Sequence, residues 1–195
     1  MRAFQSSPLL HVTDELLEDE VVALSSYKDF SYQLNGFLRG NKDAVAPDPN
    51  RFPPLDSAIR KRCFIQNVCL YRATFAEDFD RFVRDCNFND PAYASTSLNA
   101  STLGRHFVSA SHKHPIKLVI SCPKGANAFF LEIANDSSES ESEFLLPRSS
   151  RYHIDNVSAP ITGANRIAIE IGQSNKLHAN DFNSLRIINL TLLGA

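Results

Sequence analysis

The chain has 195 residues, of which 43% are hydrophobic, with 14 phenylalanines and no tryptophan. This length and composition are enough for one domain with a sizeable core, and we expect a single domain over 1–195. The formal net charge of −2, without a cluster of lysine and arginine, argues against nucleic acid as an obligatory partner.

The cysteines and the hydropathy pattern exclude further classes of protein. The four cysteines show neither Cys-x-x-Cys spacing nor a companion histidine pattern, so we expect buried, reduced thiols and no bound metal. Residues 1–12 lack the basic start and long apolar run of a signal peptide, and no apolar stretch is long enough to span a bilayer. We therefore expect no membrane partner and a disordered lead-in over 1–12. The cysteines are Cys63, Cys69, Cys86 and Cys122.

The next part of the chain, 13–63, is predicted to be helical. Thr13 is expected to cap a first helix, with acidic residues in its first turn that suit the helix dipole. A second helix is expected to end at Gly40. Four prolines make 46–54 a loop, and a short helix is expected over 55–63. The apolar faces of the first two helices are formed by Leu17, Val21 and Leu24, and by Phe30, Leu34, Phe37 and Leu38.

The remaining part, 64–195, is predicted to be rich in strands. A strand over 68–71 is expected to end at Arg72, and helices are expected over 77–86 and 102–110. Helices that come first and strands that come later indicate an α+β fold with largely antiparallel sheets. The other predicted strands cover 93–98, 117–122, 129–133, 143–146, 152–157, 166–171 and 185–193.

A stretch of alternating acids precedes one of these strands. Glu139, Glu141 and Glu143 alternate with serines and are followed by three apolar residues and Pro147. In an extended chain, residues two apart point to the same side, so these carboxylates would crowd onto one face. Such crowding is costly unless a cation or a shared task balances it. The alternative interpretation is a solvated acidic turn on a surface strand.

Three separate parts of the chain could share such a task. They are Arg72, the hydroxyl run Ser95, Thr96 and Ser97, and the glutamates around Glu143. Each also has an ordinary interpretation, as a surface cation, an edge strand and a solvated rim. Together they offer a cation that binds phosphate, hydroxyls that orient a carboxylate, and carboxylates that stabilise positive charge. These groups suit the opening of a glycosidic bond through an oxocarbenium-like transition state.

Five segments then resemble one family, in the family's order and at plausible spacing. The segments are a helical signature over 27–40, the arginine strand over 70–72, the Ser-Thr-Ser strand over 93–98, a strand with a Pro-Lys-Gly turn over 118–125, and Glu-x-Glu with its apolar tail over 141–147. The family that they resemble is the mono-ADP-ribosyltransferase toxins of the Arg–Ser–Glu class with a Glu-x-Glu motif, which includes the Rho-modifying exoenzymes and the actin-modifying binary toxins.

The resemblance implies the ADP-ribosyltransferase fold, in which N-terminal helices precede two packed, mainly antiparallel β-sheets with NAD in the cleft between them. It implies that Arg72 binds the NAD phosphates. It also implies that Ser95 holds the catalytic glutamate, with Thr96 and Ser97 supporting the cleft. Glu143 would bind the ribose on the nicotinamide side and stabilise the oxocarbenium.

The remaining implied roles concern the acceptor and the nicotinamide. Glu141 would orient and deprotonate the attacking acceptor. Phe107 lies where the family presents an aromatic ring to nicotinamide, although a core phenylalanine is an equally good interpretation. Residues 134–142 would meet the target protein, but they lack the aromatic residue that is usual in the family. Ala73 stands where the family often has glycine.

The resemblance thus implies a bacterial toxin or secreted effector that transfers ADP-ribose from NAD to a host protein. It would be secreted or injected, and it would act in the host cytosol as a monomer. Arginine is the expected acceptor, because a glutamate at position 141 suits a guanidinium that needs a base. Alternatives are another acceptor such as threonine, an NAD glycohydrolase on the same fold, and an inactive binding module.

Overall fold

The computed structural model describes residues 4–107, 114–132, 142–172 and 184–194. Helix α1, Glu18–Leu38, replaces the two helices predicted over 13–40, and non-helical dihedrals at Phe30 (φ −128°, ψ 21°) kink it in the middle. It begins later than expected, because the backbone N–H of Leu17 donates to Oε2 of Glu20 at 2.8 Å. The Thr13 hydroxyl donates instead to the carbonyl of Lys61.

The rest of the N-terminal part packs against α1. Helix α2, Phe52–Arg60, follows a short 3₁₀ helix, Pro49–Arg51. Strand β1, Leu10–Val12, pairs with strand β2, Arg62–Phe64. The prediction of a disordered lead-in is therefore wrong for the described residues before position 13, because Leu10 enters the core and its strand is hydrogen-bonded.

In the described part of the chain, ten further strands form the main sheet. They are β3 Val68–Phe75, β4 Val83–Arg84, β5 Asn87–Asp90, β6 Ala94–Ser97, β7 Pro115–Cys122, β8 Phe129–Phe130, β9 Glu143–Leu146, β10 Ser150–Val157, β11 Ile161–Thr162 and β12 Ser184–Gly194. The order is β4-β5-β10-β12-β7-β3-β6-β9-β8, with β11 beside β12. Among the described pairs, only β7 and β12 run parallel.

The sheet has two parts that meet at one point. The two sheets of the expected fold are two parts of one hydrogen-bonded sheet, since nine of the described strands follow one path and β11 pairs with β12 beside it. The connection between β3 and β6, however, is a single pair, Tyr71 opposite Ser97. One part therefore contains Arg72, and the other contains the Ser-Thr-Ser strand and Glu143.

Three predicted elements differ from the structure in part or in full. The helix expected over 77–86 is a short helix α3, Ala76–Phe79, then a 3₁₀ turn and strand β4, and positive φ angles turn the chain immediately after β4. The helix expected over 102–110 contains α4, Gly104–Phe107, in its described part. The strand expected over 166–171 is instead helix α5, Ala164–Ile171. Its buried residues, Ile167 and Ile171, are four apart, which is helical spacing.

Successive residues of β9 belong to two different cores. Phe144 and Leu146 pack into the core of the main sheet. Leu145 packs into a second core with α1 and α2. Because side chains alternate along a strand, Glu143 lies on the side of Leu145 and faces α1.

No helix in the described ranges is long and apolar enough to cross a membrane.

The cysteines only partly fit the expectation of buried thiols. All four are free, but only Cys122 is buried. Burial raises its pKa to about 12. Cys69 and Cys86 are exposed, because the strand and the turn that carry them direct these side chains outwards.

Candidate active site

The register of the sheet brings the three sequence motifs to one place. Ser97 of β6 lies opposite Glu143 of β9. On its other side, Ser97 lies opposite Tyr71 of β3, the residue before Arg72. Arg72 itself lies in the middle of β3 and not at a strand end as predicted, because β3 continues to Phe75. The arginine, the hydroxyl run and the glutamate thus meet where the two parts of the sheet join.

Two of the three hydroxyls stabilise this junction. Thr96 Oγ1 donates to the carbonyl oxygen of Phe144 at 2.7 Å. Ser97 Oγ accepts the N–H of Asn99 at 2.9 Å and holds the turn after β6. Both side chains are buried. Thr96 thus connects β6 to β9, and the role of both residues in supporting an NAD cleft stays a prediction.

Ser95 is bound to helix α1 through a tyrosine. Its Oγ lies 3.1 Å from Tyr27 OH, and Asn35 Nδ2 donates to the same tyrosine oxygen at 2.9 Å. Burial raises the pKa of Tyr27, so the phenol stays neutral; the charge of Arg72 opposes this shift and the charge of Glu143 adds to it. The charges of Arg72 and Glu143 thus both act on the pKa of Tyr27.

Arg72 has an incompletely satisfied guanidinium. Its Nη2 lies 3.9 Å from Oδ2 of Asp90, while Nη1 is buried and has no hydrogen-bond partner among the described residues. Burial and the neighbouring charge of Arg39 lower the pKa of Arg72, and Asp90 opposes them. A guanidinium remains charged at physiological pH despite such a shift.

Arg39 is a second cation of this site that sequence reasoning missed. Its Nε and Nη2 donate to the two carboxylate oxygens of Asp90 at 3.1 and 2.8 Å. Asp90 is buried. Two guanidiniums near one carboxylate leave an excess positive charge, which suits an anionic ligand. The available signal is its position within the helical signature over 27–40, directly before Gly40.

Glu143 has partners on both its side chain and its backbone. Lys28 Nζ lies 3.4 Å from Glu143 Oε2 and donates to the carbonyl of Leu131 at 3.2 Å. The N–H of Glu143 donates to Oε1 of Glu132 at 3.1 Å. Neither Lys28 nor Glu132 was singled out by sequence reasoning.

The remaining predictions for the site concern two glutamates, a loop and Phe107. Glu141, Glu139 and nearly all of the predicted target-binding loop fall outside the described residues. Phe107 is 1% exposed and packs edge-on against Phe75, at 5.8 Å between ring centroids. The structure therefore supports the core interpretation of Phe107 and not its predicted contact with nicotinamide. Within the described ranges, no group of side chains could hold a metal ion.

The chain is similar to one known family of proteins. A family model described as ADP-ribosyltransferase exoenzyme matches residues 2–175. The chain belongs to the ADP-ribosyltransferase exoenzyme family. This match includes every element that forms the candidate site.

Two curated relatives of this exoenzyme chain are bacterial or phage proteins. It is 29% identical over 147 residues to the NAD(+)–arginine ADP-ribosyltransferase EFV of Enterococcus faecalis, a match that covers 72% of the chain and 29% of the relative. It is 26% identical over 162 residues to the mono-ADP-ribosyltransferase C3 of Clostridium botulinum D phage, covering 73% of the chain and 64% of the relative. The chain thus spans less than two thirds of either relative.

Solved structures share the fold of this exoenzyme chain. Plx2a, an ADP-ribosyltransferase toxin from Paenibacillus larvae, superposes with a TM-score of 0.62 at 20% identity and covers 92% of this chain and 88% of its own. The C3 exoenzyme of Clostridium limosum gives a TM-score of 0.61 at 22% identity, with 91% and 86% coverage. At these identities the similarity establishes the ADP-ribosyltransferase fold.

Proposed function

We propose that this protein is a bacterial mono-ADP-ribosyltransferase, which transfers ADP-ribose from NAD to a side chain of a host protein and releases nicotinamide. The observation that carries the proposal is the strand register, which brings Arg72, Ser95 and Glu143 to one junction of the sheet, where Ser95 also contacts Tyr27 of α1. The names of the relatives support the same activity. In the role of toxin or effector that we propose, the protein is secreted or injected and acts as a monomer in the host cytosol.

The cationic end of the site fits the diphosphate of NAD. The buried Nη1 of Arg72 has no hydrogen-bond partner among the residues described, and such a donor is costly unless a ligand accepts from it. A phosphate oxygen is a suitable acceptor, since a guanidinium binds phosphate through two parallel hydrogen bonds. Arg72 and the neighbouring Arg39 are the residues that would bind these oxygens.

The carboxylate end fits the ribose next to nicotinamide. The bond that breaks joins C1′ of this ribose to the ring nitrogen of nicotinamide, and its electron pair leaves with nicotinamide. Positive charge develops on the ribose, and the carboxylate of Glu143 stabilises it. Ser95, bound to Tyr27, and Ser97, opposite Glu143, hold the strand that faces this carboxylate.

Arginine is the acceptor that the chemistry favours. A guanidinium attacks C1′ poorly until a base takes one of its protons, and Glu141, two residues before Glu143, supplies a carboxylate in the right part of the chain. In the balanced step, the new bond joins C1′ to a guanidinium nitrogen and the released proton passes to Glu141. The Enterococcus faecalis relative is named for an arginine acceptor.

Labelled NAD tests the proposal directly. Purified protein is incubated with a host-cell lysate and with NAD that is labelled in its ADP-ribose part. We expect a labelled protein band, and we expect reagents that cleave the bond between ADP-ribose and arginine to remove the label. Glu143→Gln should slow the labelling about 10²–10³-fold. Glu15→Gln, which changes an exposed carboxylate before α1, should not. Release of nicotinamide without a labelled band would instead favour an NAD glycohydrolase.

A further inference from the structure

Lys28 approaches the proposed catalytic carboxylate from helix α1. Its Nζ lies 3.4 Å from Glu143 Oε2 and 3.2 Å from the carbonyl oxygen of Leu131. The side chains of Lys28 and Glu143 are 26% and 15% exposed. A fully exposed ion pair contributes little, because its two side chains move freely. Here the second acceptor fixes the ammonium, and partial burial reduces screening by solvent.

The backbone around Glu143 belongs to the same network. The N–H of Leu131 donates to the carbonyl of Glu143 at 2.9 Å. In the other direction, the N–H of Glu143 donates to Oε1 of Glu132 at 3.1 Å. The backbone of Glu143 is thus hydrogen-bonded to residues 131–132. Lys28 binds this pair of segments from both sides, through the carbonyl of Leu131 and the carboxylate of Glu143. These contacts lie at the two ends of the segment that contains Glu141.

We propose that Lys28 is a positioning residue for Glu143, and this inference rests on the proposed function. Without the ammonium, the Glu143 carboxylate could rotate away from the ribose, and the nearby carboxylate of Glu132 would repel it. With the ammonium in place, one orientation is favoured before the substrate binds. Such pre-orientation matters because a displacement of about 1 Å can cost about 10²-fold in rate.

The kinetic consequence is a change in kcat and not in KM. Lys28→Met keeps much of the length of the side chain but removes its charge. Because Glu143 acts on charge that develops in the transition state, we expect kcat for NAD cleavage to fall about tenfold or more. The KM for NAD should stay within about twofold, since the proposed phosphate contacts of Arg72 are unchanged. Lys28→Arg keeps the charge and should restore most of kcat.

A second measurement does not depend on activity. Thermal melting is compared for wild type, Lys28→Met, Glu143→Gln and the double variant. Loss of a partly buried ion pair should lower the melting temperature by about 1–3 °C. Because both changes remove the same interaction, the shift in the double variant should be smaller than the sum of the two single shifts. Lys124→Met, in the exposed turn after β7, is the matched control. It should leave kcat unchanged, and its melting shift should add to that of Glu143→Gln.

The outcomes separate this inference from the proposed function. A wild-type protein that neither cleaves NAD nor labels a host protein would overturn the proposed function. If the wild type is active, the role of Lys28 is overturned when Lys28→Met retains the wild-type kcat or when the melting shifts are additive. Failure of Lys28→Arg to recover kcat would also contradict the role, because that variant retains the charge.

Discussion

Asp90 accepts two hydrogen bonds from the guanidinium of Arg39, at 3.1 and 2.8 Å. The carboxylate is 2% exposed and also lies 3.9 Å from Nη2 of Arg72. Its Oδ1 accepts the N–H of Ala92, at the turn that leads into β6. A single buried carboxylate thus aligns both cations of the proposed phosphate site and fixes the start of the strand that carries Ser95.

Asp90→Asn should weaken both the fold and the binding of NAD. The change leaves Arg39 without its charged partner, and breaking a buried ion pair costs about 3 kcal/mol of unfolding free energy. The guanidiniums also lose their alignment, so we expect the KM for NAD to rise about tenfold. Urea denaturation and steady-state kinetics measure these effects. Asp155→Asn, at an exposed carboxylate, is the control; equal effects of the two changes would contradict the role of Asp90.

Tyr27→Phe should disturb the site without changing its shape. The hydroxyl bridges Asn35 and Ser95, and its removal leaves the buried amide of Asn35 without this acceptor, at a cost of about 1–3 kcal/mol. We also expect NAD cleavage to slow, because Ser95 loses its connection to α1. The control is Tyr32→Phe on the same helix, where the side chain is 87% exposed. Matching stabilities and rates for the two variants would refute the importance of the bridge.

Gly172→Ala should be far more destabilising than Gly40→Ala. Both glycines have positive φ, at +76° and +70°, so both substitutions are strained to a similar degree. A Cβ at Gly172 would lie 2.0 Å from the Cα of Ser101, whereas nothing lies within 4 Å of a Cβ at Gly40. The strain alone costs about 1–2 kcal/mol. Denaturant unfolding should show this loss for Gly40→Ala and a clearly larger one for Gly172→Ala. In Gly172→Ala the new Cβ would collide with the backbone of Ser101, so the end of α5 could no longer pack against that segment.

Glu20 should make stability depend on pH. Burial favours its neutral form, but hydrogen bonds from Lys61, Ser57 and the Leu17 N–H outweigh burial and lower the pKa of Glu20. The folded protein thus binds this proton less readily than the unfolded chain does. The stabilisation is complete well above the ordinary value of 4.5 and is lost as the pH falls through the lowered pKa.

Glu20→Gln tests this expectation. At pH 7 the variant should lose about 1.5–3 kcal/mol of unfolding free energy, because a charged hydrogen-bond acceptor is removed. At about pH 3 the difference from wild type should be smaller, since the wild-type carboxylate loses part of its own contribution. Denaturant titrations at both pH values measure the two differences. Glu15→Gln provides the exposed control. If wild type and Glu20→Gln differed in unfolding free energy by the same amount at both pH values, the assignment would be contradicted.

The sequence by itself determined the strand positions of the site and its chemical groups. Strand-forming runs and turn residues are local signals, and they located β3, β6 and β9, with Ser95 and Glu143 on two of these strands and Arg72 at the predicted end of the third. Local signals failed where one hydrophobic pattern is compatible with both a strand and a helix. In α5 the alternating isoleucines allow a strand, but burial at Ile167 and Ile171 favours a helix packed on the sheet.

Only the tertiary structure decided which distant residues act on the site. Lys28 and Glu143 are 115 positions apart, and Arg39 and Asp90 are 51 apart. No periodicity connects such pairs, because the contacts depend on how α1 packs against the sheet. The same holds for Tyr27 and Ser95, 68 positions apart. Residue types and spacing therefore specify the chemistry, whereas the orientation of the charges is decided by packing between elements.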